Sequence, residues 1–228
     1  MLPATPCAVA ALLSIAIPAS ARPAAGTAQS IGSRMILATV TGTGTRPLVA
    51  LEADDFVVDE GGAAREILSL HVADYPIVLL LDNTAGTRQD MAAMQEAAAR
   101  FIARVGERAV AVGTLSNPAV MLASFDDARE VVLERVRQVA AAPGAAPLVF
   151  RAAASGARLI RENGTPFSAM VILSAQPVGA AQATDAEFLT PVLESGATVY
   201  VVASRAPPAP GAPPGDDDVL RALAEQTA

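Results

Sequence analysis

The stretch Tyr75 to Gly86, YPIVLLLDNTAG, constrains this chain more than any other. Ile77 to Leu81 form an unbroken apolar run with no polar face, the pattern of a strand buried on both sides, as in a parallel sheet. The run ends abruptly in Asp82, with Asn83, Thr84 and Gly86 behind it. Polar residues just past the carboxyl end of such a strand stand where open α/β sheets place their ligand sites.

The residues after Tyr75 repeat this alternation of buried strand and helical stretch, which predicts βαβ crossovers and a doubly wound, mostly parallel α/β sheet with helices on both faces. Met91, Met94, Ala98, Phe101, Ile102 and Val105 recur at helical spacing, and Gly106 ends that helix. Ala109 to Leu115 and Ala119 to Ala123 are strands separated by Asn117-Pro118. So short a connection makes them an antiparallel hairpin at the sheet edge, because a parallel return needs a crossover. Asp126 is expected to cap a helix over Val131 to Val139. Leu148 to Ile160 reads as a further helix closed by Asn163-Gly164. Phe167 to Leu173 reads as a strand, Asp185 to Leu193 as a helix and Thr198 to Val202 as the last strand. Ala206 to Gly215 is a Pro-rich stiff linker, and Asp216 caps a final helix burying Val219, Leu220 and Leu223.

Four segments follow from the whole chain. Residues 1–21 resemble a secretory signal: Cys7 to Ile17 is an apolar core, and Ala19-Ser20-Ala21 supplies small residues before Arg22. The amino end carries no Lys or Arg, so a misassigned start and an uncleaved anchor both stay open beside export with cleavage. Residues 22–34 form a flexible lead-in. Residues 35–73 form a small antiparallel β unit of about three strands, over Met35–Thr41, Val57–Val58 and Arg65–Val72. Asp59-Glu60-Gly61-Gly62 makes its tight turn. Residues 74–228 are the α/β domain. The expected location is secreted, periplasmic or cell-envelope.

Composition excludes several functions. Hydrophobic residues reach 52%, but past the first segment they are scattered, largely as alanine, and the mature chain should hold no stable membrane span. A net charge of −7 argues against nucleic acid as a partner. The sole cysteine, Cys7, lies in the first segment, which leaves no disulfide, thiol nucleophile or thiolate zinc site beyond it. The sole histidine, His71, stands near Asp74. A hydrolase built on that pair is an alternative of a different class, without any G-x-S-x-G elbow to support it. Asp216-Asp217-Asp218 heads a helix, where negative charge favours the positive end of the dipole. Asp54, Asp55, Asp59 and Glu60 are solvated turn residues. Gly42 and Gly44 lack the Lys and following helix of a phosphate loop.

LEADDFVVDEGG (Leu51 to Gly62), PIVLLLDNTAG, Glu107 to Ser116 and the ending Leu220 to Thr227 occur in an order that resembles the von Willebrand factor type A domain. They are most similar to bacterial exported proteins of that type with a short β unit before the domain. The resemblance implies a non-catalytic module that binds another protein. It also implies a metal-ion-dependent adhesion site of pattern D-x-S/T-x-S, with a further Thr and a further Asp on later loops. Carried over by position, Asp82 and Thr84 match. Gly86 stands at the third place, Ala146 at the loop Thr and Ala175 at the later Asp. Two carboxylates become one, and Mg²⁺ wants an octahedral set of oxygen ligands. The expectation is a degenerate site with no tightly held cofactor, Asp82 and Thr84 acting as caps. Weak Mg²⁺ binding through those two, aided by Thr87 or Ser174, is the alternative. Asp82, Asn83, Thr84, Gly86, Ala146 and Ser174 would form the face presented to the partner. Relatives continue past the Ala-Glu-Gln-Thr helix, so a truncated or pseudogene product is a further expectation.

Overall fold

The computed structural model describes residues 33–42, 48, 50–84, 88–145, 147–174, 186–203 and 218–227. The expected signal segment, the Pro-rich linker, Thr87 and the proposed cap Asp216 lie outside them. Contacts divide the chain into two units, Met1–Ile36 and Leu37–Ala228, and the elements below belong to the second.

A five-stranded sheet carries the fold. Its strands are β3 (Ile77–Leu81), β4 (Val110–Thr114), β5 (Met121–Ala123), β6 (Ala169–Ser174) and β7 (Thr198–Ala203), in the order β5-β4-β3-β6-β7. All pairs are parallel except β4 with β5, which form the antiparallel edge hairpin the short connection demands. Between them run α1 (Arg88–Arg104), α2 (Arg129–Arg137), α3 (Val149–Asn163) and α4 (Ala186–Glu194), with α5 (Asp218–Thr227) following β7.

The central strand β3 is buried along its full length because both of its faces are covered. Val78 and Leu80 pack with Met170 and Ile172 under α3, α4 and α5, whereas Ile77, Leu79 and Leu81 meet Met91, Met94, Ala98 and Ile102 of α1. Alternation along an extended chain divides one apolar run between two cores. Each fully buried Leu or Ile contributes about 1.5–3 kcal/mol. Helix α3 lies close enough to the sheet that Gly156 faces Val78 with no room for a side chain. It ends at Gly164, whose φ of 72° is the left-handed cap that the Asn-Gly pair signals.

Two sequence expectations are corrected. Asp126 does not cap α2. The residue before that helix is Ala128, which makes no side-chain cap bond. The neighbouring Asp127 instead accepts from the N–H (2.6 Å) and hydroxyl (3.1 Å) of Ser124, closing the turn that leaves β5. Helix α2 is positioned from its own first residue: the Arg129 guanidinium donates to the carbonyls of Ile102, Gly106 and Arg108, gathering orphan acceptors at the end of α1.

The small β unit is also slighter than expected. It is a two-stranded hairpin of β1 (Val58–Glu60) and β2 (Ala63–Arg65), turned by Gly61 and Gly62, both at positive φ. Asp59 accepts from the Gly62 N–H at 2.8 Å. No ladder extends over 66–76, and Met35–Val40 contains no strand. Val57, Leu68 and Val72 stand largely in solvent, and among the described residues no strand lies beside 66–72.

Candidate functional site

The order of the sheet reverses at β3. The chain moves outward through β4 and β5, then returns to add β6 and β7 on the other side. The crevice at the carboxyl ends of β3 and β6 is therefore the topological switch point, the place where such sheets accept ligands. Asp82 follows β3 there and Ser174 is the last residue of β6.

Asp82 is held in strand register by its own N–H, which donates to Leu173 O at 2.9 Å. Its side chain is fully buried. Oδ1 accepts from the Thr84 N–H at 3.0 Å and from the Thr84 hydroxyl at 2.5 Å, while Oδ2 accepts from the Ser174 hydroxyl at 3.2 Å. The two bonds from Thr84 make a local turn of the type that aspartate forms with the residue two places on. Among the described residues the cap expected of Asp82 takes this form: it satisfies the Thr84 N–H in the turn ahead of α1.

Asn83 has a different task. Its Nδ2 donates to Ala140 O at 3.1 Å, its Oδ1 accepts from the Ser116 N–H at 3.1 Å, and its carbonyl accepts from the Ala142 N–H at 2.7 Å. One residue therefore joins the segment after β4 to the segment after α2. Nothing near it in sequence announces this, since its partners lie 33 and 57 residues away. Beside it runs an open groove of about 410 Å³, walled by Thr114, Val120, Leu122, Arg135, Gln138 and Val139.

Of the six residues expected at the partner face four are described, and Thr84 and Ser174 both bond to Asp82. Asp82, Asn83, Thr84 and Ser174 are all buried. Gly86, Ala146 and Ala175 lie outside the described residues. As a metal centre, the arrangement offers, among the described residues, one carboxylate and two hydroxyls that already bond to it. Mg²⁺ demands a fuller oxygen set, usually built on one or two carboxylates with several waters. Among the described residues no group of three or more His, Cys, Asp or Glu side chains converges.

His71 stands exposed in the irregular segment before β3, and no hydrogen bond joins it to Asp74, itself exposed. A base needs an orienting partner and a nucleophile within hydrogen-bond reach. His71→Ala is therefore expected to leave the melting temperature and any activity of the chain unchanged, as calorimetry and assay of the paired proteins would show.

Several solved structures share the architecture. Conserved hypothetical protein BatB from Bacteroides thetaiotaomicron superposes with a TM-score of 0.51 at 11% identity, over 67% of this chain and 86% of that one. The fold is von Willebrand factor A-like. An aerotolerance-related membrane protein from Bacteroides fragilis (TM-score 0.48, 12% identity, 67% of this chain and 88% of that one) is also similar. So is a von Willebrand factor type A protein from Catenulispora acidiphila (0.45, 16%, 68% and 41%). At these identities the likeness concerns the fold and nothing further. No protein-family model matches the chain, and neither does any curated protein. Asp82 and Ser174 line the switch-point crevice of this von Willebrand A-like sheet. No helix among the described residues is long and apolar enough to cross a membrane.

Proposed function

We propose that this chain is an exported, non-catalytic module that binds another protein through the loops at the strand tips, without a resident metal. The carrying observation is Asp82: a buried carboxylate whose two oxygens are both engaged by Thr84 and Ser174. Such an aspartate is held in place by its own turn and by the end of β6. Non-catalytic action is what the resemblance to von Willebrand factor type A domains implies. Export is supported by the apolar first segment and the small residues that close it. The partner-facing loops are those next to Asp82, Asn83, Thr84 and Gly86, around Ala146, and after Ser174.

The convergence of Thr84 and Ser174 oxygens on Asp82 also favours a second reading, a weak Mg²⁺ site completed by the partner's own carboxylate. A thermal titration separates the two. Under the metal-free reading, Mg²⁺ and Mn²⁺ leave the melting temperature where EDTA leaves it. A metal at a hundredfold its dissociation constant would add about 2.7 kcal/mol, or about 5–10 °C for a chain of this size. A saturable, EDTA-reversible rise that disappears in Asp82→Ala sinks the metal-free reading. The companion experiment is capture of a partner from the cell envelope with and without EDTA, and equal capture is expected. Capture lost in EDTA and restored by Mg²⁺ establishes the second reading, and no capture at all overturns the protein-binding one.

A further inference from the structure

A second groove, of about 250 Å³, lies over the core shared by α3 and α4. Asn117 and Pro118 of the β4–β5 hairpin, Leu148, Arg151 and Arg158 at α3, and Phe188 of α4 line it. Arg151, Ser155 and Arg158 follow one another at helical spacing along a single stripe of α3, so their side chains share a face. The Arg151 guanidinium lies over the Phe188 ring, 5.1 Å from its centroid. The Arg158 guanidinium donates one N–H to the Ser155 hydroxyl at 3.1 Å. Both heads are thereby steadied beside an apolar wall before anything binds.

We propose that this groove takes an acidic side chain of a protein partner, a Glu or Asp followed by an apolar residue, with Arg158 as its principal anchor. This rests on the protein-binding reading above and names the chemistry of the partner. Charge is the first argument. The chain carries −7, yet no acidic residue lines this groove among the described residues. Elsewhere on the surface Arg65, Arg100, Arg137 and Arg161 each have a carboxylate within 3.4 Å, whereas no carboxylate among the described residues pairs with Arg158. A guanidinium presents five donors in a planar fork that fits a carboxylate with two parallel bonds, and only one of Arg158's is directed to Ser155. Size is the second argument. The volume falls below the roughly 300–1,000 Å³ of small-molecule sites and suits one side chain with its neighbour against Phe188 and Pro118. Polyanions are disfavoured by the net charge of the whole molecule.

The test is a titration of the ¹⁵N-labelled full chain with the capped tetrapeptide Gly-Glu-Phe-Gly, following the amides of Asn117, Ala119, Ser155 and Phe188. Saturable shifts confined to these amides are expected. They should weaken about tenfold when the peptide carries Gln in place of Glu, and about tenfold again in Arg158→Gln, as the loss of a charge-assisted pair requires. Arg100→Gln, which removes an arginine paired with Glu96, should bind like the parent. No saturable shift, an equal response to the Gln peptide, or undiminished binding by Arg158→Gln overturns the proposal. So does inorganic phosphate at the same concentration producing the same shifts, which would make the groove a general anion site. Failure of the protein-binding reading is seen separately, as absence of capture from the envelope, so the two failures are distinguishable.

Discussion

Asp82→Ala is expected to destabilise the chain by about 3–5 kcal/mol, since each buried donor left unsatisfied costs about 1–3 kcal/mol. Three donors lose their acceptor at once: the Thr84 N–H, the Thr84 hydroxyl and the Ser174 hydroxyl. Thr84 and Ser174 are themselves buried, so solvent reaches these donors only if the crevice opens. Asp82→Asn should be milder. Its carbonyl keeps the two bonds to Thr84, and the Ser174 hydroxyl turns to accept from the new amide. Urea unfolding checks both, with the midpoint falling and the slope unchanged. Run in EDTA, the same measurement weighs the role of the residue. An aspartate kept only as a metal ligand would leave the metal-stripped chain as stable after substitution as before. A loss near that predicted identifies Asp82 as a structural acceptor.

Gly156→Val is expected to be comparably damaging, at about 3 kcal/mol or more, the upper end of what overpacking a core costs. A Cβ at this position would stand 2.7 Å from Val78 Cγ1 and 3.2 Å from Met170 Cε. Both neighbours are fully buried on adjacent strands of the sheet, so Val78 or α3 has to shift to admit the larger side chain. Gly156→Ala isolates the steric component. An alanine in a helix interior gains up to about 1 kcal/mol over glycine, so a net loss in that variant measures the clash directly. Thermal unfolding followed by far-UV circular dichroism would show it, and an alanine variant more stable than the parent would contradict the close approach of α3 to β3.

Much of the fold was legible because its signals are local. An apolar run with no polar face can only be a strand covered twice, and the same pattern at Phe167 to Leu173 delivered β6 beside β3. A short Asn-Pro connection can join two strands only as a hairpin, and β4 with β5 obeys. The failures are equally instructive. Arg65 to Val72 has the apolar content of a strand, yet a strand requires a neighbour to take its N–H and C=O groups, and beyond Arg65, which pairs with Val58, none lies alongside among the described residues. Asp126 occupies a plausible cap position, but the adjacent Asp127 closes the preceding turn through Ser124 and α2 starts at Arg129. Composition at a helix start states a preference, and competition among nearby acceptors decides it.

At the switch point the division is sharper. The order of residues alone determined that Asp82 would end a buried central strand and that Thr84 lay within reach of Asp82. These follow from strand periodicity and from bonds spanning two residues. Only the tertiary structure decided that Ser174 closes on the second carboxylate oxygen from 92 residues away, that Asn83 ties two distant loops, and that Arg158 stands over a groove free of acids among the described residues. Hydrogen bonds and charge pairs between remote segments depend on which surfaces packing brings together, and no local pattern encodes that.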